Sequence, residues 1–189
     1  THPSKPIGRY LSHEQAQPMT DHGQVWQDRG EKGWRRVVAS PEPGEVLDVP
    51  ALRTLLDAGH VLVAAGGGGI PVVRDAAGRL RGVEAVIDKD LTAALLAHTL
   101  DADVLVIATD VDHATLDWGT DHQRDLTRVG LAEVLRHAAD GQFASGSMGP
   151  KVAAAARFVA GGGARSVITS LTHITDAVEG GFGTVIEPD

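Results

Sequence analysis

The chain has 189 residues, a formal net charge of −8 at pH 7, 42% hydrophobic and 22% charged residues, and no cysteine. Its length suffices for a domain with a packed core. Lack of cysteine removes disulfides and thiolate metal sites and fits a cytoplasmic protein; the acidic balance argues against a general nucleic-acid binder; no apolar run is long enough to span a membrane, and no signal peptide is read. Residues 1–44 are polar, with prolines at 3, 6, 18, 41 and 43, and read as a small excursion with short strands, one at 34–38. Residues 45–189 alternate helix and strand. Asp48 can cap a helix with Pro50 in its first turn and Gly59 at its end. Residues 60–65 form an apolar run fit for a buried parallel strand. A glycine run at 66–69 follows, then a hairpin over 72–81 turning at Ala77-Gly78. A helix opens at Asp90 and runs through Leu100, with Leu91, Leu95 and Leu96 on one face. The spacing then predicts a strand at 103–108, a loop at 109–123, helices at 130–139 and 150–160, a strand at 165–170, a helix at 171–179 and a strand at 184–187. Such alternation implies an α/β sandwich with a mostly parallel sheet.

Four features carry chemistry. Gly66, Gly67, Gly68 and Gly69 follow a predicted strand, where backbone lacking Cβ atoms can approach an anion; the alternative is a tight turn. The run has neither Walker nor Rossmann spacing. Asp88-Lys89-Asp90 joins a predicted strand end to a helix start, and ligands of open α/β sheets bind at the carboxyl ends of strands. It reads either as a surface ion pair or as a phosphate lysine fixed by its neighbours. Gly146-Ser147-Met148-Gly149-Pro150-Lys151 opens another helix, the end that favours anions, whereas a cation such as Lys151 there opposes the helix dipole unless an anion binds. Thr109-Asp110-Val111-Asp112 follows a further strand. Trp118, in the loop beyond, either covers a nucleotide base or packs the loop on the core. The nine histidines lack zinc-site spacing, so no protein-held metal is expected. No Gly-x-Ser-x-Gly elbow supports a serine nucleophile.

These residues, together with Pro3-Ser4-Lys5-Pro6-Ile7-Gly8, the stretch from Gly33 to Val38 and that from Ala64 to Val72, resemble carbamate kinase, within the amino-acid kinase family. The resemblance covers essentially the whole chain. It implies an α/β/α sandwich, a homodimer, and phosphoryl transfer between ATP and carbamate to give ADP and carbamoyl phosphate. It assigns Lys89 and Lys151 to the transferring phosphoryl group and nucleotide phosphates, Asp90 to orienting them, and Lys5 to a protruding subdomain that closes over the site. Gly66, Gly67, Gly68, Asp88, Asp110, Val111, Trp118, Met148, Gly149 and Pro150 fall on the nucleotide side. Mg²⁺ is expected with ATP or ADP, bound mainly through the phosphates. Carbamate is already an oxyanion, so no general base is needed, which suits a chain offering lysines and aspartates.

Ser4, Ala39, Arg9-Tyr10 and Asp121 depart from the family pattern without removing a phosphate lysine. The family's Gly-Gly-Asn and His-Gly-Asn-Gly segments do not occur here. The chain therefore reads as the nucleotide half, with residues 1–44 as lid and 45–189 as nucleotide-binding domain. It is expected to self-associate or to join an N-terminal half, because a half-sandwich leaves a sheet edge and apolar faces uncovered. The alternative function is a catalytically silent nucleotide-binding or assembly subunit.

Overall fold

The computed structural model describes residues 2–144 and 147–189. In chain order come β1 (Lys5–Leu11), α1 (His13–Asp21), β2 (Val25–Asp28), β3 (Trp34–Val38), α2 (Val49–Asp57), β4 (Val72–Arg74), β5 (Leu80–Gly82) and α3 (Lys89–Thr99). Then follow β6 (Val104–Thr109), β7 (Ala114–Leu116), β8 (Arg124–Leu126), β9 (Arg128–Gly130), α4 (Leu131–Ala139), α5 (Met148–Ala160), β10 (Arg165–Ser170), α6 (Ile174–Val178) and β11 (Thr184–Glu187). Contacts divide the chain into two compact units, Thr1–Glu42 with Gly67–Asp88, and Pro43–Gly66 with Lys89–Asp189. Residues 67–88, which the sequence reading placed beyond its boundary at 44, thus share contacts with the N-terminal segment.

The first unit is built on an antiparallel sheet in the order β1-β3-β2. α1 is an addition to the sequence reading. Its signal was local: Ser12 accepts from the Gln15 N–H while the Gln15 side chain accepts from the Ser12 N–H, a capping box. Beyond β3, Ala39 bridges Ala85 and accepts the Val86 N–H at 2.9 Å. An isolated bridge at Ala85 is all that forms where a full strand was expected before Asp88. The β4–β5 hairpin turns where expected, and Asp75 ties it. Its Oδ1 accepts from the Ala77 N–H at 2.9 Å and the Arg79 N–H at 3.0 Å, while Oδ2 accepts from the Arg79 guanidinium at 3.0 Å. The Arg79 N–H above all, with the Ala77 N–H and the guanidiniums of Arg79 and Arg81, holds the Asp75 carboxyl below its ordinary value of 3.8. The folded carboxyl is the stronger acid, so its contribution is complete above the unfolded value and is lost as pH falls through the lowered folded value. Protection of the Ala77 and Arg79 amides, measured relative to their intrinsic exchange rates, is therefore expected to fall on acidification below pH 3.8, and Asp75→Asn should flatten that pH response.

The second unit carries a four-stranded sheet in the order β6-β10-β11-β9, with β6–β10 and β11–β9 parallel and β10–β11 antiparallel. β10 is buried on both faces, as a central strand must be. Leu105, Ile107, Ile168 and Ile186 point to one side and pack with Val152, Ala154, Ala155, Phe158 and Val134 of α5 and α4. Val106, Val167 and Val185 point to the other, against Ala177 of α6. Helices on both faces of a mostly parallel sheet make the expected α/β/α layering. Small residues on α5 let it lie close to the sheet. Ser166, which is fully buried, donates to the Ala155 carbonyl at 3.0 Å.

Several expectations are corrected. Residues 60–65 are not a strand: Val61 and Val63 are fully exposed, and no strand pairs with them among the described residues. An apolar run forms a buried strand only where neighbouring strands satisfy its backbone. The Asp48 side chain makes no cap bond although α2 starts where expected. On α3 the fully buried residues are Asp90, Thr92 and Ala94, with Leu91 half-buried against the core. The 109–123 loop contains β7, and β8 and β9 were not foreseen; each is three residues long, too short for a period to show. The 171–179 helix is a 3₁₀ turn over Leu171–His173 leading into α6.

Thr184 is the hinge pin of this region. Its buried hydroxyl donates to the Leu126 carbonyl and accepts the Ala114 N–H at 2.8 Å, joining β11 to both strands of the β7–β8 hairpin. Thr184→Val keeps the shape and strands that N–H, so it is expected to cost about 1–3 kcal/mol, read by denaturant unfolding.

Candidate functional site

α3 feeds β6 and α5 feeds β10, each helix packs on the strand it feeds, and the two strands are parallel neighbours. Both helices therefore begin at the end of the sheet where β6 and β10 finish, the edge at which open α/β sheets take ligands. At that edge Lys151 Nζ lies 3.0 Å from Asp90 Oδ2, joining the first turns of α5 and α3. Their side chains are only 12% and 10% exposed. A buried pair of this kind is costly to form and costlier to break, so it specifies a geometry more than it stabilises.

This pair changes one inference from the sequence. A cation near the start of α5 opposes the helix dipole, but the Asp90 carboxylate already offsets it, so a bound anion is not required to explain Lys151. The start of α5 also offers fewer donors than expected. The Ser147 and Gly149 N–H groups both reach the Ala144 carbonyl, at 3.3 and 2.9 Å, and Pro150 has no N–H. A Cβ on Gly149 would meet that same oxygen at 3.1 Å, which is why glycine suits this close approach. Gly146 lies outside the described residues. Met148, Gly149 and Pro150 are half-buried as the first three residues of α5.

Lys89 is the first residue of α3, exposed, and carries no ion pair among the described residues. At the end of β6 the Thr109 hydroxyl donates to the Asp110 carboxylate at 3.1 Å; Asp110 is exposed and Val111 half-buried. Trp118 is 70% exposed at the tip of the β7–β8 hairpin, so it does not pack its loop on the core. Among the described residues no three His, Asp or Glu side chains gather to hold a metal.

In the first unit, Lys5 Nζ lies 2.5 Å from Asp88 Oδ2, with Asp88 buried. Of the glycine run, Gly66 and Gly68 have φ of 47° and 125°, backbone that other residues rarely adopt, and Ala65 before them sits at 60°. The run forms a turn, and Gly68 is buried in it. Asp88 and Asp90, neighbours of one lysine in the sequence, each pair with a different distant lysine. That division, and a pairing of Asp117 with Gln142, left no signal in the sequence because each partner comes from a separate segment.

A model of the amino acid kinase family matches residues 15–170. The chain belongs to the amino acid kinase family. Within that family it is similar to the carbamate kinase of Thermoplasma volcanium, 47% identical over 98% of this chain and 60% of the relative. The carbamate kinase of Staphylococcus haemolyticus is 46% identical, with the same coverage. The structure of carbamate kinase from Giardia lamblia bound to AMP-PNP superposes with a TM-score of 0.89 at 41% identity, covering 99% of this chain and 60% of that one. The chain thus spans about three-fifths of the length of the relatives it matches.

Proposed function

We propose that this amino acid kinase chain supplies the ATP/ADP site of a carbamate kinase, which interconverts ATP plus carbamate with ADP plus carbamoyl phosphate. The observation that carries the reading is the buried Asp90–Lys151 pair, which sets an ammonium at the carboxyl edge of parallel strands, one residue along the chain from exposed Lys89. Similarity to an enzyme solved with AMP-PNP, an ATP analogue, supports the choice of nucleotide.

In this reading Lys151, held by Asp90, and Lys89 bind the nucleotide phosphates and the transferring phosphoryl group. Phosphoryl transfer spreads charge over equatorial oxygens and needs positioned cations more than covalent help. The carbamate oxyanion attacks the terminal phosphorus, the bond to the bridging oxygen breaks, and ADP leaves with the negative charge. Lysine suits the task as a mobile point charge. Mg²⁺ would arrive on the nucleotide phosphates and supply further neutralisation. Asp110, Val111, Met148, Gly149, Pro150 and Trp118 would line the nucleotide; Lys5, Asp88 and the glycines Gly66, Gly67 and Gly68 enter on the family resemblance alone. A homodimeric cytoplasmic enzyme of arginine metabolism is the setting this reading implies.

Calorimetry with Mg-ADP on the chain, joined to an assay of ATP formation from carbamoyl phosphate and ADP by the whole protein that contains it, tests the proposal. Binding with turnover is expected. ADP binding without turnover in the whole protein would favour a silent nucleotide-binding subunit, and no binding would remove the nucleotide reading.

A further inference from the structure

An exposed tryptophan at a hairpin tip invites the question of what holds it there. Trp118 follows Asp117, whose φ of 53° is left-handed, a conformation uncommon outside glycine although Asp adopts it more readily than most residues. Such strain persists where the surroundings over-determine it. Here the Thr120 N–H and hydroxyl both reach the Asp117 carbonyl, at 3.1 and 2.8 Å, and the Gly119 N–H reaches the Gln123 side chain at 3.0 Å. The decisive ties come from outside the hairpin. The Gln142 carbonyl oxygen accepts the Asp117 N–H at 2.8 Å, and the Gln142 amide donates back to Asp117 Oδ1 at 3.1 Å. Two residues further on, Ala144 offers the carbonyl that takes the Ser147 and Gly149 N–H groups at the start of α5. Residues 142–144 therefore grip the Trp118 hairpin with one side chain and the helix bearing Lys151 with one carbonyl.

We propose that Gln142 is a positioning residue for the nucleobase: by locking Asp117 it holds Trp118 as a stacking face at a set span from the phosphate lysine Lys151. The inference rests on the nucleotide reading above and adds the residue that sets the base end. A flat, 70% exposed indole face is matched by a flat purine, and such stacking tolerates few changes of ring attitude. Gln142 touches no ligand; it acts through Asp117.

The test measures Mg-ADP and Mg-pyrophosphate binding side by side on the same chain. Gln142→Leu is expected to weaken ADP about tenfold, within the range for losing a base–aromatic stack, and to leave pyrophosphate binding unchanged. In the background of Trp118→Ala, Gln142→Leu should have no further effect. Gln142→Glu alone sets two carboxylates against each other, and Asp117→Asn added to it restores both hydrogen bonds with the polarity of one reversed, so the double variant should recover ADP affinity. Unchanged ADP binding by Gln142→Leu, an equal loss for pyrophosphate, or failure of the double variant to recover each overturns the assignment. Pyrophosphate binding without ADP binding in the unsubstituted chain overturns it while sparing the phosphate lysines; binding of neither removes the nucleotide reading and this inference with it.

Discussion

Lys151→Ala is expected to lower phosphoryl transfer by about 10²- to 10³-fold, the range for removing one preorganised group at a charge-developing centre, and also to destabilise the fold. The second effect follows from burial. Asp90 has a side chain only 10% exposed and faces the ammonium at 3.0 Å. Without the ammonium a nearly buried carboxylate loses its countercharge, and breaking a buried pair from one side costs about 3–5 kcal/mol. The two consequences separate in a second variant. Lys151→Met with Asp90→Asn removes both charges, so unfolding midpoint should return toward that of the unsubstituted protein while turnover stays low. Recovery of turnover along with stability would show that Lys151 acts only as a strut between α3 and α5.

Lys89→Ala should show the opposite pattern. This lysine is exposed and has no ion pair among the described residues. Its removal is expected to shift stability by less than about 0.5 kcal/mol, because nothing buried loses a partner. A cation at the N-terminus of α3 works against the helix dipole, so the variant is expected to gain a few tenths of a kcal/mol. Turnover should nonetheless fall by about 10²-fold or more if the ammonium meets the moving phosphoryl group. Full turnover in Lys89→Ala would take this residue out of the site and leave the phosphates to Lys151. Measured together, the two lysines distinguish a charge kept for geometry from a charge kept for chemistry.

The long elements of the second unit were legible in the sequence because each carries its own period and punctuation. β10 and β11 have the bounds expected of them, and α5 ends where the glycines at 161–163 begin. Residues 60–65 show the limit of that logic. Their composition is that of a buried strand, yet whether a strand forms depends on a neighbour that the segment itself does not encode. The β7–β8 hairpin and β9 escaped notice for a different reason: three residues are fewer than two periods of alternation, and their pairing is set by tertiary ties such as Thr184.

For the candidate site, the residue types and their places on elements were written in the chain. Lysine and aspartate at helix starts, glycine and proline at the opening of α5, and an aromatic beyond β6 are all local features, fixed by propensity and spacing. Which carboxylate meets which ammonium was decided only by folding. Asp88 and Asp90 are equivalent neighbours of Lys89 in the sequence, but they lie on backbone with different surroundings, so one meets Lys5 and the other Lys151 across 83 and 61 residues. Charge interactions fall off with distance in space and are blind to distance along the chain. The amino-acid sequence therefore supplies the charges, and tertiary packing alone selects their partners.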